Sequence, residues 1–165
     1  MNRRQFLQSS LGAVGVLLFF NGKLYGAVSP FATIKILYND LFPPNNNLPT
    51  ITSSNAIFYL ENVILKHSRI SKSDKEYILN GVQWLNEEAL ELYKKSYISL
   101  DSKKRQKVLE SFASKSFGEN WLYTMMSYMF EAILGDPIYG INKDELGWSW
   151  LGFKAGLPRP KKAFL

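Results

Sequence analysis

The chain has 165 residues, with 20 Lys and Arg against 14 Asp and Glu, so its formal net charge is +6. It contains no cysteine and a single histidine, which excludes disulfides, thiolate metal sites, iron–sulfur clusters and covalent c-type haem attachment. Residues 1–27 hold three of the basic residues and no acidic one, so the remainder has 17 basic residues against 14 acidic. This near balance gives no reason to expect nucleic-acid binding.

The first residues have the pattern of an export leader. A basic pair stands just before an apolar run of about ten residues, 11–20. A helix needs about 20 apolar residues to span a bilayer, so a leader is favoured over a membrane anchor. The order resembles a twin-arginine (Tat) signal, which directs folded proteins across the bacterial inner membrane. The residues predicted to be recognised are Arg3, Arg4, Phe6 and Leu7. Cleavage near Ala27 stays open, because Tyr25 is bulky where a small residue is preferred.

Helical spacing of apolar residues begins soon after the leader. It predicts a first helix from about Pro30 to Leu41, which ends before Pro43 and Pro44. The Pro- and Asn-rich residues 45–52 are expected to form a loop. A second helix is predicted after Ser53 or Ser54, either of which can cap its N-terminus, and it continues to about Lys66.

The longest helix is predicted to begin at a capping box, Ser73 and Glu76, and to end at about Tyr97. Its apolar side is expected to comprise Tyr77, Gly81, Trp84, Leu85 and Leu92. Three carboxylates lie close together on this helix, at Glu87, Glu88 and Glu91. No histidine is near them and lysines lie one turn away, so they are interpreted as a solvated surface and not as a metal or acid–base site.

Two further helices follow. Asp101 or Ser102 can cap a fourth helix, whose Val108, Leu109 and Phe112 are expected to pack inward and whose basic residues, including Arg105, are expected to face water. Gly118 is predicted to interrupt the pattern, with a fifth helix starting at Glu119. That helix is apolar around most of its circumference, so it is expected to be buried in the bundle or between the bundle and a partner. Its apolar residues are Trp121, Leu122, Met125, Met126, Met129, Phe130, Ile133 and Leu134.

The predicted fold class is therefore all-α, a single bundle of about five helices with an irregular, aromatic C-terminal tail. The expected division of the chain is a signal segment over 1–27, a helical domain over 28–134 and a tail over 135–165. Short β-prone fragments do not alternate for long enough to predict a sheet.

The tail combines glycines with large aromatic residues. Glycines at 135, 140, 147 and 152 allow turns or close backbone approach, and Tyr139, Trp148, Trp150 and Phe153 offer large contact areas. Such a segment can cover its own bundle or bind another protein, since Trp and Tyr are favoured anchors at interfaces.

The order D-P-I-Y-G-I-N-K-D-E-L-G-W, followed by L-G-F-K-A-G-L-P, resembles the C-terminal signature of the gluconate 2-dehydrogenase subunit 3 family. The matching positions are Asp136, Pro137, Tyr139, Gly140, Asn142, Gly147, Trp148, Gly152, Phe153 and Gly156. Two positions differ: Ile141 stands where the family has a second glycine, and Lys154-Ala155 replaces a proline. These differences suggest a somewhat different turn.

The resemblance implies the small subunit of a membrane-associated dehydrogenase. In such a complex, a flavoprotein of the glucose-methanol-choline type contains FAD and oxidises a sugar or sugar acid, and a c-type cytochrome containing haem c passes on the electrons. The small subunit carries the Tat leader, so it is expected to escort the folded flavoprotein through the Tat translocase to the periplasm. The complex then lies at the outer face of the inner membrane.

The residues themselves predict no catalytic, cofactor-binding or metal site in this chain. It has no G-x-G-x-x-G in a βαβ setting and no P-loop. Asp136, Asp144 and Glu145 are the most plausible acids, but Asp136 before a proline is better explained as a turn former. His67, in a polar stretch, is expected to be an exposed histidine near a helix end. Two alternatives remain: a transient Tat export chaperone, and an independent small periplasmic enzyme.

Overall fold

The computed structural model describes residues 19–20, 23–24, 29–44 and 49–163. Arg3, Arg4, Phe6, Leu7 and the cleavage region lie outside the described residues. Two short strands, β1 (Phe19–Phe20) and β2 (Lys23–Leu24), pair antiparallel near the N-terminus. All other regular structure in the described residues is helical, so the fold class is all-α, as predicted.

The first two helices differ in how well the sequence predicted them. Helix α1 covers Pro30–Leu41, with proline in its first turn, in agreement with the prediction. Helix α2 begins as Ala56–Phe58 and continues as the π-helical segment Tyr59–Ile64. The predicted serine cap of α2 is wrong: the N-cap is Asn55, in a left-handed conformation and without a side-chain cap bond.

The two serines make local hydrogen bonds before α2 begins. The Ser54 hydroxyl donates to the Ile51 carbonyl, and the Ser53 hydroxyl accepts from the Thr50 N–H at 2.8 Å. Because both hydroxyls are engaged in the preceding turn, neither is available to the helix N-terminus.

Helix α3, Lys72–Tyr93, starts and ends earlier than predicted. Its N-cap is Ser71, whose hydroxyl accepts from the Asp74 N–H, so the S-x-x-acid pattern is shifted by two residues from the predicted box. It ends where Lys94 adopts a left-handed conformation. Residues 97–99 instead form a 3₁₀ turn, Tyr97–Ser99, whose Tyr97 N–H donates to the Asn86 side chain. The side chain of Leu92 is 45% exposed and lies outside the predicted apolar side.

Helix α4 covers Ser102–Ala113, and its N-cap and buried residues are those that the sequence predicted. Asp101 accepts from the Lys104 N–H at 2.9 Å, and Val108, Leu109 and Phe112 are buried. The long helix α5 covers Ser116–Leu134 and therefore includes Gly118, which was predicted to precede it. A Cβ atom on Gly118 would lie 2.0 Å from the Phe112 carbonyl oxygen, so this glycine permits close packing of α5 on the end of α4.

Two residues predicted to face water instead form ion pairs, Arg105 partly buried and Glu88 buried. Arg105 on α4 binds both carboxylate oxygens of Asp40 on α1, through Nε at 2.6 Å and Nη2 at 3.0 Å. Glu88 on α3 is 5% exposed and pairs with Lys115, while also accepting from the Ser111 hydroxyl. Each pair joins segments distant in the sequence, so neither could be seen in the local pattern.

A single apolar core lies between the helices. Its largest fully buried side chains come from all five helices α1 to α5 and from the 3₁₀ turn Tyr97–Ser99. They include Tyr38, Leu60, Leu85, Tyr97, Phe112, Trp121, Met125 and Met129. Within the described residues, no helix combines the length and the apolar character needed to cross a bilayer.

Candidate functional site

The tail predicted to be irregular forms an ordered segment on the end of the bundle. Residues 135–153, called the clasp below, contain a 3₁₀ turn Pro137–Tyr139, a second 3₁₀ turn Lys143–Glu145 and helix α6, Leu146–Leu151. The prediction of irregular structure is thus wrong for this part of the tail.

Asp136 opens the clasp as a turn former. Its carboxylate accepts from the Ile138 N–H at 3.0 Å, which caps the first 3₁₀ turn. The same oxygen accepts from Arg159 Nη2 at 2.9 Å. Pro137 occupies the first position of the turn, where a missing N–H has no cost. Gly140 ends the turn at φ 76°, a conformation that favours glycine.

Asn142 is the centre of the clasp and is 1% exposed. Its backbone N–H is shared between the carbonyls of Ser54 and Ala132, both at 3.1 Å. Its side-chain amide donates to the Gly135 carbonyl at 2.9 Å, and its Oδ1 accepts from the Gly147 N–H at 2.7 Å. A buried amide satisfied on both sides fixes the position of the segments it joins.

Helix α6 is held against the end of α5. A Cβ atom on Gly147 would lie 1.8 Å from the Ile133 carbonyl oxygen, so only glycine allows this approach. The next residue, Trp148, is 7% exposed, and its indole N–H donates to the Leu134 carbonyl at 2.6 Å. The Trp148 hydrogen bond satisfies one of the carbonyl groups at the C-terminal end of α5, which have no partner within the helix.

The end of the chain folds over the same tryptophan. The Phe153 ring meets the Trp148 ring edge to face at 5.4 Å, and the Arg159 guanidinium lies 4.7 Å from the Trp148 ring centroid. Gly152 ends α6 with φ 66°. Arg159, which no sequence pattern singled out, thereby links the end of the chain to both Asp136 and Trp148.

Two further contacts attach the clasp to α2 and the core. The Asn55 side chain donates to the Gly140 carbonyl at 2.8 Å. Ile141, the residue that departs from the family pattern, is 2% exposed and belongs to the core. The tyrosine of the motif, Tyr139, packs partly buried against that core. Where the family has a flexible glycine, this chain thus has an apolar side chain that attaches the clasp to the core.

Large apolar side chains are exposed from α6 onward. Of the nine large apolar side chains that are exposed in the described residues, five lie between positions 146 and 157. They are called the tail patch below, and they are Leu146, Trp150, Leu151, Phe153 and Leu157. The exposed fractions range from 39% at Trp150 to 87% at Leu157. A concentration of exposed apolar side chains marks a binding surface.

The other partner-facing surface considered from the sequence is not available. Trp121, Met125 and Met129 were expected to contribute to a surface that meets a partner, but each is 0% exposed. The Trp121 indole N–H donates to the Ile78 carbonyl at 3.1 Å, inside the bundle. These residues form the core, and the most exposed aromatic residue on α5 is Tyr123, at 73%.

His67, Asp144 and Glu145 were also considered from the sequence as reactive groups. His67 Nδ1 accepts from the Arg69 N–H at 3.1 Å, a local turn contact. Asp144 and Glu145 are exposed and have left-handed backbone conformations in the second 3₁₀ turn of the clasp, just before α6. No group of three His, Cys, Asp or Glu side chains among the described residues is placed to hold a metal ion.

The fold and the site define a class of protein: an all-α domain whose C-terminal signature locks a short helix onto the end of the bundle. The family model for gluconate 2-dehydrogenase subunit 3 matches residues 30–156, which contain all the helices described above. The chain belongs to this family, and so to the subunits of a dehydrogenase complex. Neither the curated proteins nor the solved structures with which the chain was compared gave a match.

Proposed function

We propose that this chain is the non-catalytic small subunit of a periplasmic, membrane-associated, FAD-dependent dehydrogenase complex. In this proposal the chain binds the folded flavoprotein of the glucose-methanol-choline type, escorts it through the Tat pathway and remains bound to it. FAD belongs to the flavoprotein and haem c to a cytochrome subunit. The oxidation of a sugar or sugar acid belongs to the complex.

The observation that supports this function best is the tail patch. The clasp is fixed by the buried Asn142 and Trp148, yet Leu151 and Phe153 next to them are more than half exposed. A rigid support that presents apolar side chains loses little conformational entropy when a partner covers them. In this proposal Phe153 meets the partner directly as part of the tail patch, and the other signature residues act indirectly, by holding the tail patch in place.

The proposed escort role also rests on the sequence of the leader. The flavoprotein must be folded before export if the tail patch recognises a folded surface, and the Tat pathway accepts folded cargo. Replacing Arg3 and Arg4 by lysine should leave both chains in the cytoplasm, measured by fractionation and by dehydrogenase activity in the periplasm. Normal periplasmic activity of the flavoprotein in this variant would contradict escort.

Binding is tested with a tagged full-length chain purified from its native cells. The wild-type chain should co-purify with a protein that has a flavin absorbance spectrum and oxidises a member of a panel of sugars and sugar acids. The double variant Leu151→Ser/Phe153→Ser should lose most of this flavoprotein, because about 2 kcal/mol of apolar burial is lost for each side chain. A matched control is Tyr123→Ser, which removes an exposed aromatic residue from α5.

The same experiment separates the alternatives. Flavoprotein retained in the periplasmic fraction supports a permanent subunit, while flavoprotein found with the chain only in the cytoplasm supports a transient chaperone. Turnover by the purified single chain, with no flavin spectrum, would indicate an independent enzyme. Equal recovery of flavoprotein with the wild type and the double variant would show that the tail patch is not part of the interface.

A further inference from the structure

The tail patch lies in a stretch of the chain with positive charges only. From position 146 to position 163 there is no aspartate or glutamate, while the basic residues are Lys154, Arg159, Lys161 and Lys162. All three lysines are exposed. The apolar surface and the basic residues therefore occupy the same short segment.

Three of these four charges have no partner of their own. Arg159 is engaged, since it pairs with Asp136 at 2.9 Å and lies over the Trp148 ring. Lys154, Lys161 and Lys162 form no ion pair among the described residues. Two partly buried cations of the bundle, Arg105 and Lys115, are paired with carboxylates. Lys154, Lys161 and Lys162 resemble several exposed lysines of the bundle in being unpaired among the described residues, but they differ in lying next to the tail patch in the sequence.

We infer that the tail patch docks into an apolar recess on the flavoprotein that is bordered by carboxylates, which pair with Lys154, Lys161 and Lys162. This inference rests on the proposed function and specifies the chemistry of the partner's surface. Complementary charge at the edge of an apolar interface accelerates encounter and excludes partners of the wrong charge, and the apolar centre supplies most of the affinity.

An acidic protein surface fits these observations better than an anionic membrane. Helices that lie in a membrane interface present a long apolar face, whereas α6 has only six residues. Its Trp148 is also turned inward, with the indole N–H bonded to the Leu134 carbonyl. What remains exposed is a small set of side chains, three of which, Leu146, Trp150 and Leu151, belong to the short α6, and such a set suits a shaped recess.

The test is a charge reversal with a matched control. The tail variant is Lys154→Glu/Lys161→Glu/Lys162→Glu, and the control variant is Lys95→Glu/Lys103→Glu/Lys107→Glu, which changes net charge equally at three exposed lysines near α3 and α4. Affinity of each full-length chain for the purified flavoprotein is measured across a range of salt concentrations. We expect the tail variant to bind roughly 10- to 100-fold more weakly at low salt and with a smaller salt dependence, because rim charges act on encounter. The control variant should stay within about twofold of wild type.

Each other outcome has a defined meaning. If the tail variant binds like wild type while Leu151→Ser/Phe153→Ser fails to bind, the acidic border is wrong and the proposed docking stands. If both bind like wild type, the docking surface itself is wrong. If the tail variant keeps flavoprotein binding but loses binding to vesicles of phosphatidylglycerol and phosphatidylcholine, the lysines serve a membrane and the inference is overturned.

Discussion

The interior of the bundle and the clasp use polar groups in opposite ways. In the bundle, charged side chains from different helices pair with each other, as Asp40 does with Arg105. In the clasp, Asn142 and Trp148 bind backbone groups at the end of α5 and around α6. The ion pairs join the helices of the bundle to one another. The clasp bonds attach the short helix α6 to the bundle and leave the outer side of α6 exposed. The difference separates the part of the chain that makes the fold from the part that presents a surface.

The largest expected effect comes from breaking the Asp40 pair. Asp40 accepts from Arg105 and from the Tyr97 hydroxyl, the latter at 2.8 Å, and its side chain is 6% exposed. Asp40→Ala leaves a partly buried guanidinium without its partner, and we expect a loss of about 3 kcal/mol in the free energy of unfolding. Urea denaturation measures this loss. The control is Glu110→Ala, an exposed carboxylate on the same helix as Arg105, which should change stability by less than about 0.5 kcal/mol. Equal free energies of unfolding for the two variants would show that the Asp40–Arg105 pair does not stabilise the bundle.

Loss of the Asn142 side chain should act locally, on the clasp. Asn142→Gly tolerates the positive φ of 44° but leaves the Gly147 N–H and the Gly135 carbonyl without their partner. We expect the free energy of opening the clasp to fall by about 2 kcal/mol, since each unsatisfied buried group costs about 1–3 kcal/mol. Hydrogen exchange should therefore accelerate roughly 30-fold at the Gly147 and Trp148 amides. Amides of α4 serve as the internal reference, and equal acceleration there would show that the clasp and the bundle open together.

Alkaline pH should lower the free energy of unfolding of the bundle. The loss for each titrating tyrosine should be smaller than the loss caused by either substitution above. Burial raises the pKa of Tyr38 and of Tyr97 well above the ordinary value of about 10, and the Asp40 hydrogen bond raises the pKa of Tyr97 further. The unfolded chain therefore loses these protons at a lower pH than the folded chain does. The stabilisation is fully present below about pH 10 and is lost progressively as the pH rises above it. At pH 11 the expected loss is about 1 kcal/mol for each buried tyrosine.

Urea midpoints at pH 9 and pH 11 measure this effect. Tyr97→Phe should show a smaller difference between the two midpoints than wild type. A clasp variant, Asn142→Gly, should keep the full difference, because both tyrosines lie outside the clasp. If Tyr97→Phe keeps the full difference as well, another group governs alkaline unfolding.

Local signals in the sequence predicted the bundle better than the clasp. Helix α1 was predicted at both ends because Pro30 and Pro43 act on their own neighbours. The cap at Asp101 was predicted for the same reason. The ion pairs of Arg105 and Glu88 were missed, because their partners are 65 and 27 residues away in the sequence.

For the candidate site, the residue types were predicted but their roles were not. Asp136 was expected to form a turn and does so. Asn142 was identified only through the family signature, since no local pattern shows that it will meet the Ser54 and Ala132 carbonyls. The apolar residues of α5 could not be divided between core and interface from their spacing alone, because a helix buried by its own bundle has the same pattern as one buried by a partner.

The shared backbone hydrogen bonds of Asn142 also make the clasp depend on contacts between distant parts of the chain. Its N–H requires the Ser54 and Ala132 carbonyls to be side by side, and these belong to segments separated by 78 residues. The hydrogen bonding that holds the clasp is therefore complete only where these two segments have met. In the proposed complex, the flavoprotein would thus find the tail patch in the arrangement described above only on a chain whose bundle is formed.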